Sequence, residues 1–333
     1  MKLTLIKRIY ITLTKGGVYL KILVYGAGVI GSIFAAKLFL SGVDVTVLAR
    51  GNRFSEIKEK GIILRNPKTR QQEIANVKAI DALLPDMQYD YIFVAMQRTQ
   101  VESVLYILSQ NCSKNIVFVV NTAAGYDEWI KQIGAKRLMI VFPSAGGEKM
   151  DGVVNYFVGK GLMRSFQTTT VGEVVHENTK RVNNIIKAFN NAGIPTVRCL
   201  DMDTWQKTHV AMVTSIANAL YGYGCDNRRL SQEYQSVKYM VLAIKEGFAV
   251  LKKLGKKPTP QKLCFFNLPT TILTVAFKLF MGTQLAETTM AKHCAVARQE
   301  MICLQSEFDY LIKQSGLPTP NIDKIKANLY QEK

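Results

Sequence analysis

Histidine is scarce, with three residues in 333, and the six cysteines form neither a C-x-x-C pair nor a cluster with histidine. That excludes the usual ligand spacings of a zinc site and of a redox dithiol, so no metal is expected. The cysteines, at 112, 199, 225, 264, 294 and 303, read as free thiols of a reducing cytoplasm. No apolar stretch reaches the roughly 20 residues a membrane-spanning helix needs. The most apolar one, Leu268 to Met281, is interrupted by Pro269 and Lys278, and no membrane association is expected. Long Pro, Ser or Gln tracts are missing too, which leaves no segment disordered on compositional grounds. Residues 1–19 carry Lys2, Lys7, Arg8 and Lys15 between short apolar pieces. They lack the continuous apolar core and cleavage site of a secretory signal and read as an extension.

What the chain does have is length for two domains and an apolar fraction of 48% to fill their cores. Lys and Arg outnumber Asp and Glu by 43 to 25, a formal charge of +18, which favours anionic partners. The basic residues are dispersed, without the basic stripe that tracks a nucleic-acid backbone. A small anionic substrate or a phosphorylated cofactor suits this pattern, and no specific nucleic-acid binding is expected.

Apolar runs alternate with segments of helical period through the first half, the pattern of an α/β domain whose parallel sheet is covered by helices on both faces. Strands are expected at Leu20 to Tyr25, Val43 to Ala49, Tyr91 to Ala95, Ile116 to Val120 and Leu138 to Phe142, with weaker ones near 152–158, 168–172 and 196–200. Helices are expected at Ile30 to Ser41, Phe54 to Lys60, Thr99 to Leu108 and Thr179 to Asn191. Past Asp201 only long helical segments follow, so residues 20–200 form the nucleotide-binding domain and 201–333 an all-α domain. Asp201 or Asp203 is a suitable N-cap for the first of those helices. The apolar and aromatic residues of Phe265 to Met281 read as a core face or as the contact of a homodimer.

The chemistry-bearing motif is Gly26-Ala27-Gly28-Val29-Ile30-Gly31, which stands between the first strand and the first helix. Gly26 permits the tight turn, Gly28 lets backbone approach a pyrophosphate, and Gly31 lets helix pack on strand, while the helix N-terminus offers free N–H groups to the anion. This is a Rossmann dinucleotide fingerprint in its proper context. At the end of the second strand an NAD site usually carries Asp or Glu for the ribose 2′-hydroxyl. Here the tip carries Arg50, with Arg53 and Lys58 behind it. A guanidinium can pair with a 2′-phosphate, so NADPH is the expected cofactor.

The run Gly-Ala-Gly-Val-Ile-Gly, the strand Val-Thr-Val-Leu-Ala49 ending in Arg50-Gly51, a Gln-containing turn after the third strand, and a helix carrying Trp205-Gln-Lys207 resemble the ketopantoate reductase family. The resemblance implies an N-terminal Rossmann domain followed by a helical domain, and an NADPH-dependent reduction of a 2-keto acid to its 2-hydroxy acid, the family's own reaction lying in pantothenate biosynthesis. It implies Lys207 as the catalytic lysine, whose ammonium stabilises the alkoxide and donates a proton to it. It implies Glu300 as the substrate glutamate, with Glu307, two turns on along the same helical face, as competitor. Asn121 matches the asparagine that faces nicotinamide and substrate, Gln97 and Gln100 flank the cofactor, and Ser215, Asn218 and Thr289 line the substrate side. Gln97 stands where the family has lysine, and Ala211 and Ser215 where it has asparagines. A non-catalytic NADP(H)-binding sensor is the alternative these replacements leave open. His209 and His293 read as structural residues.

Overall fold

The computed structural model describes residues 20–159, 168–175 and 177–331; the extension expected over 1–19 lies outside the described residues. Contacts divide the chain into two units. Among the described residues, one comprises those up to Met96, Ser103–Val120 and those from Glu128 to Leu200, and the other Gln97–Glu102, Asn121–Asp127 and those from Asp201 onward.

The strands are β1 (Lys21–Tyr25), β2 (Asp44–Leu48), β3 (Ile62–Arg65), β4 (Gln72–Ala75), β5 (Lys78–Ile80), β6 (Tyr91–Val94), β7 (Ile116–Phe118), β8 (Leu138–Phe142), β9 (Ala145–Met150), β10 (Val153–Val158), β11 (Thr169–Glu173) and β12 (Thr196–Arg198). Helices α1 (Val29–Leu40), α2 (Gly51–Lys60), α3 (Glu102–Gln110), α4 (Asp127–Ile133) and α5 (Lys180–Asn191) connect them. Eight strands form one sheet in the order β12-β11-β8-β7-β6-β1-β2-β5. Neighbours from β5 to β8 pair parallel; β11 pairs antiparallel with β8, and β12 parallel with β11. The parallel strands are apolar without alternation because both faces are covered: every residue of β6 and β7 is buried. The strand order reverses between β1 and β6, and it is outside the carboxyl ends of such a pair that an α/β sheet takes its ligand.

A second sheet, of which the sequence led to the expectation of β10 alone, runs β4-β3-β10-β9. It explains why α1 has no polar face. The helix packs on β1 and β2 of the large sheet and on all four strands of the small one, so Ile33, Phe34, Ala35, Ala36 and Leu38 are all buried. The same sandwiching makes Gly31 a tight position: an added Cβ would run into the Gly26 carbonyl oxygen and lie 3.3 Å from the Ala95 Cβ. Gly31→Ala is therefore expected to lower stability by about 1–3 kcal/mol, where an unobstructed helical Gly→Ala gains about 1 kcal/mol. Urea denaturation of the two proteins checks the sign.

The second unit is helical: α6 (Met202–Tyr221), α7 (Asn227–Gln232), α8 (Tyr234–Lys253), α9 (Thr270–Met281), α10 (Arg298–Ser315) and α11 (Pro320–Lys326). Asp201 caps α6, accepting from the Thr204 N–H at 2.8 Å. Its core joins Val210 and Ala211 of α6, Ile244 and Phe248 of α8, and Leu304 and Phe308 of α10. Gly247 of α8 brings backbone close to Ala211, so close that a Cβ there would stand 2.9 Å from the Ala211 Cβ. Position 211 is a helix–helix contact, which is why a small residue stands there. Among the described residues no single helix is long and apolar enough to cross a membrane; only the bent pair Gln261–Asn267 and Thr270–Met281 passes that test together.

Candidate active site

In the first unit the Gly26–Gly31 loop leads from β1 into α1. Gly26 has φ +111, and an added Cβ would meet the Ala95 carbonyl at the end of β6, so only glycine lets the turn close at the switch point. Gly28 has nothing within 4 Å of such a Cβ and is exposed, leaving room for an anion against backbone. Gly28 is also the N-cap of α1, no side chain caps that helix, and no acidic residue stands in its first turn. The N-terminal N–H groups of Val29 and Ile30 thus keep their positive end for a phosphate. Ala27, buried, presents its carbonyl to the Ser32 hydroxyl at 3.1 Å and to the Arg53 Nε at 3.3 Å. Arg53 further donates to Glu56, Gly152 O and the Ser32 hydroxyl. It braces the loop from behind and is committed there. Arg50 is exposed and makes one bond, to the Tyr25 hydroxyl at 3.1 Å. Of the two arginines, Arg50 is the one available to a ligand.

In the second unit a short loop, Asn121 to Tyr126, is held by two side chains, Glu307 and Gln206. Glu307 of α10 accepts from the Thr122 hydroxyl at 2.8 Å and from the N–H groups of Ala123 at 2.6 Å and Ala124 at 3.2 Å. Arg98 donates to the other oxygen of Glu307 at 2.8 Å and also pairs with Glu102. At the far end the Tyr126 hydroxyl donates to Gln206 of α6 at 2.8 Å. Between these anchors Gly125, at φ +85, lies against α6: a Cβ there would stand 3.6 Å from both the Lys207 Nζ and an Asp203 carboxylate oxygen. Lys207 is buried, at 7% exposure, and its ammonium donates to Asp203 one turn earlier. Lys256 donates to the second oxygen of Asp203 at 2.6 Å. Burial alone would push the Asp203 carboxyl up, but the two ammoniums outweigh it and hold it below the usual carboxylate range. Asn121 Oδ1 is buried with no hydrogen-bond partner. A lone buried acceptor costs free energy unless a ligand donor meets it.

The sequence of residues 22–165 matches the ketopantoate reductase PanE/ApbA family. Over that segment the chain is similar to the ketopantoate reductase family. It is 23% identical over 255 residues to the 2-dehydropantoate 2-reductase of Pyrococcus horikoshii, covering 76% of this chain and 81% of that one. In three dimensions it is similar to a putative ketopantoate reductase from Ralstonia solanacearum, with TM-score 0.73 and 16% identity over 94% of this chain and 97% of the other. It is similar too to D-mandelate dehydrogenase solved with NADH and anilino(oxo)acetate, with TM-score 0.74 and 15% identity over 93% and 97%. The family is one of oxidoreductases, and the fold is the one expected from the motifs.

The structure separates the residues singled out in the sequence. Lys207 lies on α6 against Gly125, four residues beyond Asn121 in the same loop. Gln97 and Gln100 begin and end a 3-10 turn in which each side chain caps the other's backbone, and both are exposed. Thr289 lies on one turn of π-helix, its hydroxyl donating to Leu285 O at 2.8 Å. The Ser215 hydroxyl donates to Ala211 O at 2.8 Å. Asn218 is buried and donates to Gln305, which in turn donates to Asp309. Ser215 and Asn218 thus lie inside the helical core, though Asn218 Oδ1, like that of Asn121, is buried with no hydrogen-bond partner. Glu300 makes no hydrogen bond or ion pair with another described residue, and burial pushes its carboxyl above the usual range; it is Glu307 that holds the Asn121 loop. His209 stacks on Trp205 at 5.5 Å, and burial with His293 nearby pushes its pKa down to about 4, leaving it neutral. Sequence reasoning missed Asp203, Lys256 and Arg98. Only the i, i+4 spacing of Asp203 and Lys207 was visible beforehand. Among the described residues no group of three or more His, Cys, Asp or Glu could hold a metal ion.

Proposed function

We propose that the chain is an NADPH-dependent reductase of a small carbonyl compound, a 2-keto acid that leaves as its 2-hydroxy acid, working in the cytoplasm. The observation that carries this reading is the buried Lys207 ammonium beside a loop whose Asn121 presents an unsatisfied, buried oxygen. The residues present fit the cofactor: the Gly26–Gly31 turn and the uncapped start of α1 would take the pyrophosphate, and Arg50 the 2′-phosphate. NADPH, when bound, supplies the hydride. Lys207 places a positive charge against the carbonyl oxygen, stabilises the alkoxide as it forms and passes a proton to it. Asn121 accepts a hydrogen bond and fixes orientation. The surplus of basic residues favours an anionic substrate.

Turnover of a panel of 2-keto acids with NADPH tests the reading; binding of NADPH without turnover of any would favour the sensor instead. The cofactor preference has its own test. Arg50→Gln is expected to raise KM for NADPH by about tenfold, one charge-assisted pair being worth about 1.5–3 kcal/mol, and to leave KM for NADH unchanged. Equal effects on the two cofactors would remove Arg50 from the 2′-phosphate.

A further inference from the structure

Lys207 carries a full charge into a buried position, and it is not held by the glutamates that the resemblance supplies. Its ammonium rests on Asp203, four residues back on the same helix. Such pairs on an exposed helix are worth little, about 0.3–0.5 kcal/mol. This one differs from its neighbours in the fold. Lys207 has 9% side-chain exposure, whereas another same-helix lysine pair of the unit, Lys326 with Asp323, has 25% and 62%. An ammonium at that depth needs a fixed partner, since burying an unpaired charge costs several kcal/mol. Asp203 is fixed in its turn. Its second oxygen takes Lys256 at 2.6 Å, from the segment after α8, so one carboxylate is pinned from two sides. Gly125 completes the enclosure from the Asn121 loop, at a backbone angle that leaves no side chain between the loop and the pair.

We infer that Asp203 is the positioning residue that fixes the Lys207 ammonium for proton donation, with Lys256 as the cation that keeps the Asp203 carboxylate in place. This rests on the reductase reading given above. A lysine side chain has four rotatable bonds, and a carboxylate free to swing would leave its ammonium wandering. The Lys256 contact removes that freedom. Asp203 itself does not touch the reacting atoms: it uses one oxygen on each lysine and leaves the remaining N–H groups of Lys207 for the substrate oxygen. The geometry matters because misplacement by about 1 Å can cost a hundredfold in rate.

The test is steady-state kinetics on the full chain with Asp203→Asn, Asp203→Glu, Lys256→Met and the double variant Asp203→Asn/Lys256→Met. Asp203→Asn is expected to lower kcat by about tenfold to a hundredfold, with KM and NADPH affinity near the parent's. Asp203→Glu, which keeps the charge, recovers part of the loss. Lys256→Met loses less than Asp203→Asn, and the double variant is no slower than Asp203→Asn alone, because both act through one carboxylate. A kcat for Asp203→Asn equal to the parent's, or a double variant whose losses multiply, overturns the inference. Should the parent reduce no carbonyl compound, the functional reading falls and a second readout decides the inference. Trapping of amines by pyridoxal 5′-phosphate and borohydride, followed at Lys207 by mass spectrometry, is then expected to run several-fold faster in Asp203→Asn than in the parent. Equal labelling rates overturn it.

Discussion

Lys207→Ala is expected to lower kcat by about 10²- to 10⁴-fold, the range a positioned general acid contributes, while leaving NADPH affinity unchanged. The separation follows from where the groups sit. Lys207 belongs to α6 of the helical unit, and the phosphate-binding turn belongs to β1 and α1 of the other. On the proposed reading, removing the ammonium takes away an interaction made chiefly with the developing oxyanion, so kcat and kcat/KM should fall together. Stability should change in the opposite sense to a simple core truncation. Asp203 keeps Lys256 as a partner after the substitution, so no carboxylate is left buried and unpaired. Fluorescence titration with NADPH, beside turnover of the best 2-keto acid, checks both halves. Turnover equal to the parent's would remove Lys207 from the chemistry.

The part of the fold that was legible in the sequence was the part whose pattern has a single cause. β1, β6 and β8 are buried on both faces, and a run such as Tyr-Ile-Phe-Val is apolar at every position for that reason. The fingerprint glycines were legible because each answers to one steric demand. The small sheet, β10 apart, was not. β9 reads Ala-Gly-Gly-Glu-Lys-Met, with four of its six residues exposed, and neither period two nor apolar composition marks it. β3 and β4 flank the Asn66 turn, where the Asn66 side chain accepts from the Lys68 and Thr69 N–H groups, and the strands are only four residues each. α11 announces itself only by Pro320 at its first position.

The candidate site divides in the same way. Lys207 and Asn121 were singled out through the family resemblance and not through any periodicity of their own. Asp203 and Lys256 meet across 53 residues, and Arg98 meets Glu307 across 209; local periodicity cannot report contacts at such separations. Ala211 has a different lesson. Its size is set by the close approach of Gly247, so a departure from the family's asparagine can originate in helix packing instead of in substrate choice. Ser215 and Asn218 had the right chemistry for a substrate, yet their bonds to Ala211 and Gln305 are internal.

The choice between the two glutamates yields the other large effect. Glu307→Ala is expected to destabilise the protein by about 3–5 kcal/mol, the range seen when one partner of a buried ion pair is removed, and to reduce turnover steeply. Glu307 has 10% side-chain exposure and is the common acceptor for the Arg98 guanidinium, the Thr122 hydroxyl and two loop N–H groups. Without it Arg98 retains Glu102, which is 55% exposed, but the N–H groups of Ala123 and Ala124 lose their carboxylate and the segment carrying Asn121 loosens. Glu300→Ala should behave otherwise. Glu300 holds no described residue by hydrogen bond or ion pair, and burial alone raises its pKa, so its removal discards a desolvated carboxyl and costs little stability. Guanidinium denaturation and turnover of the two alanine variants side by side decide the matter. If Glu300→Ala proves the more damaging to kcat, the substrate is centred on Glu300, as the sequence motif implied, and the loop held by Glu307 is scaffold.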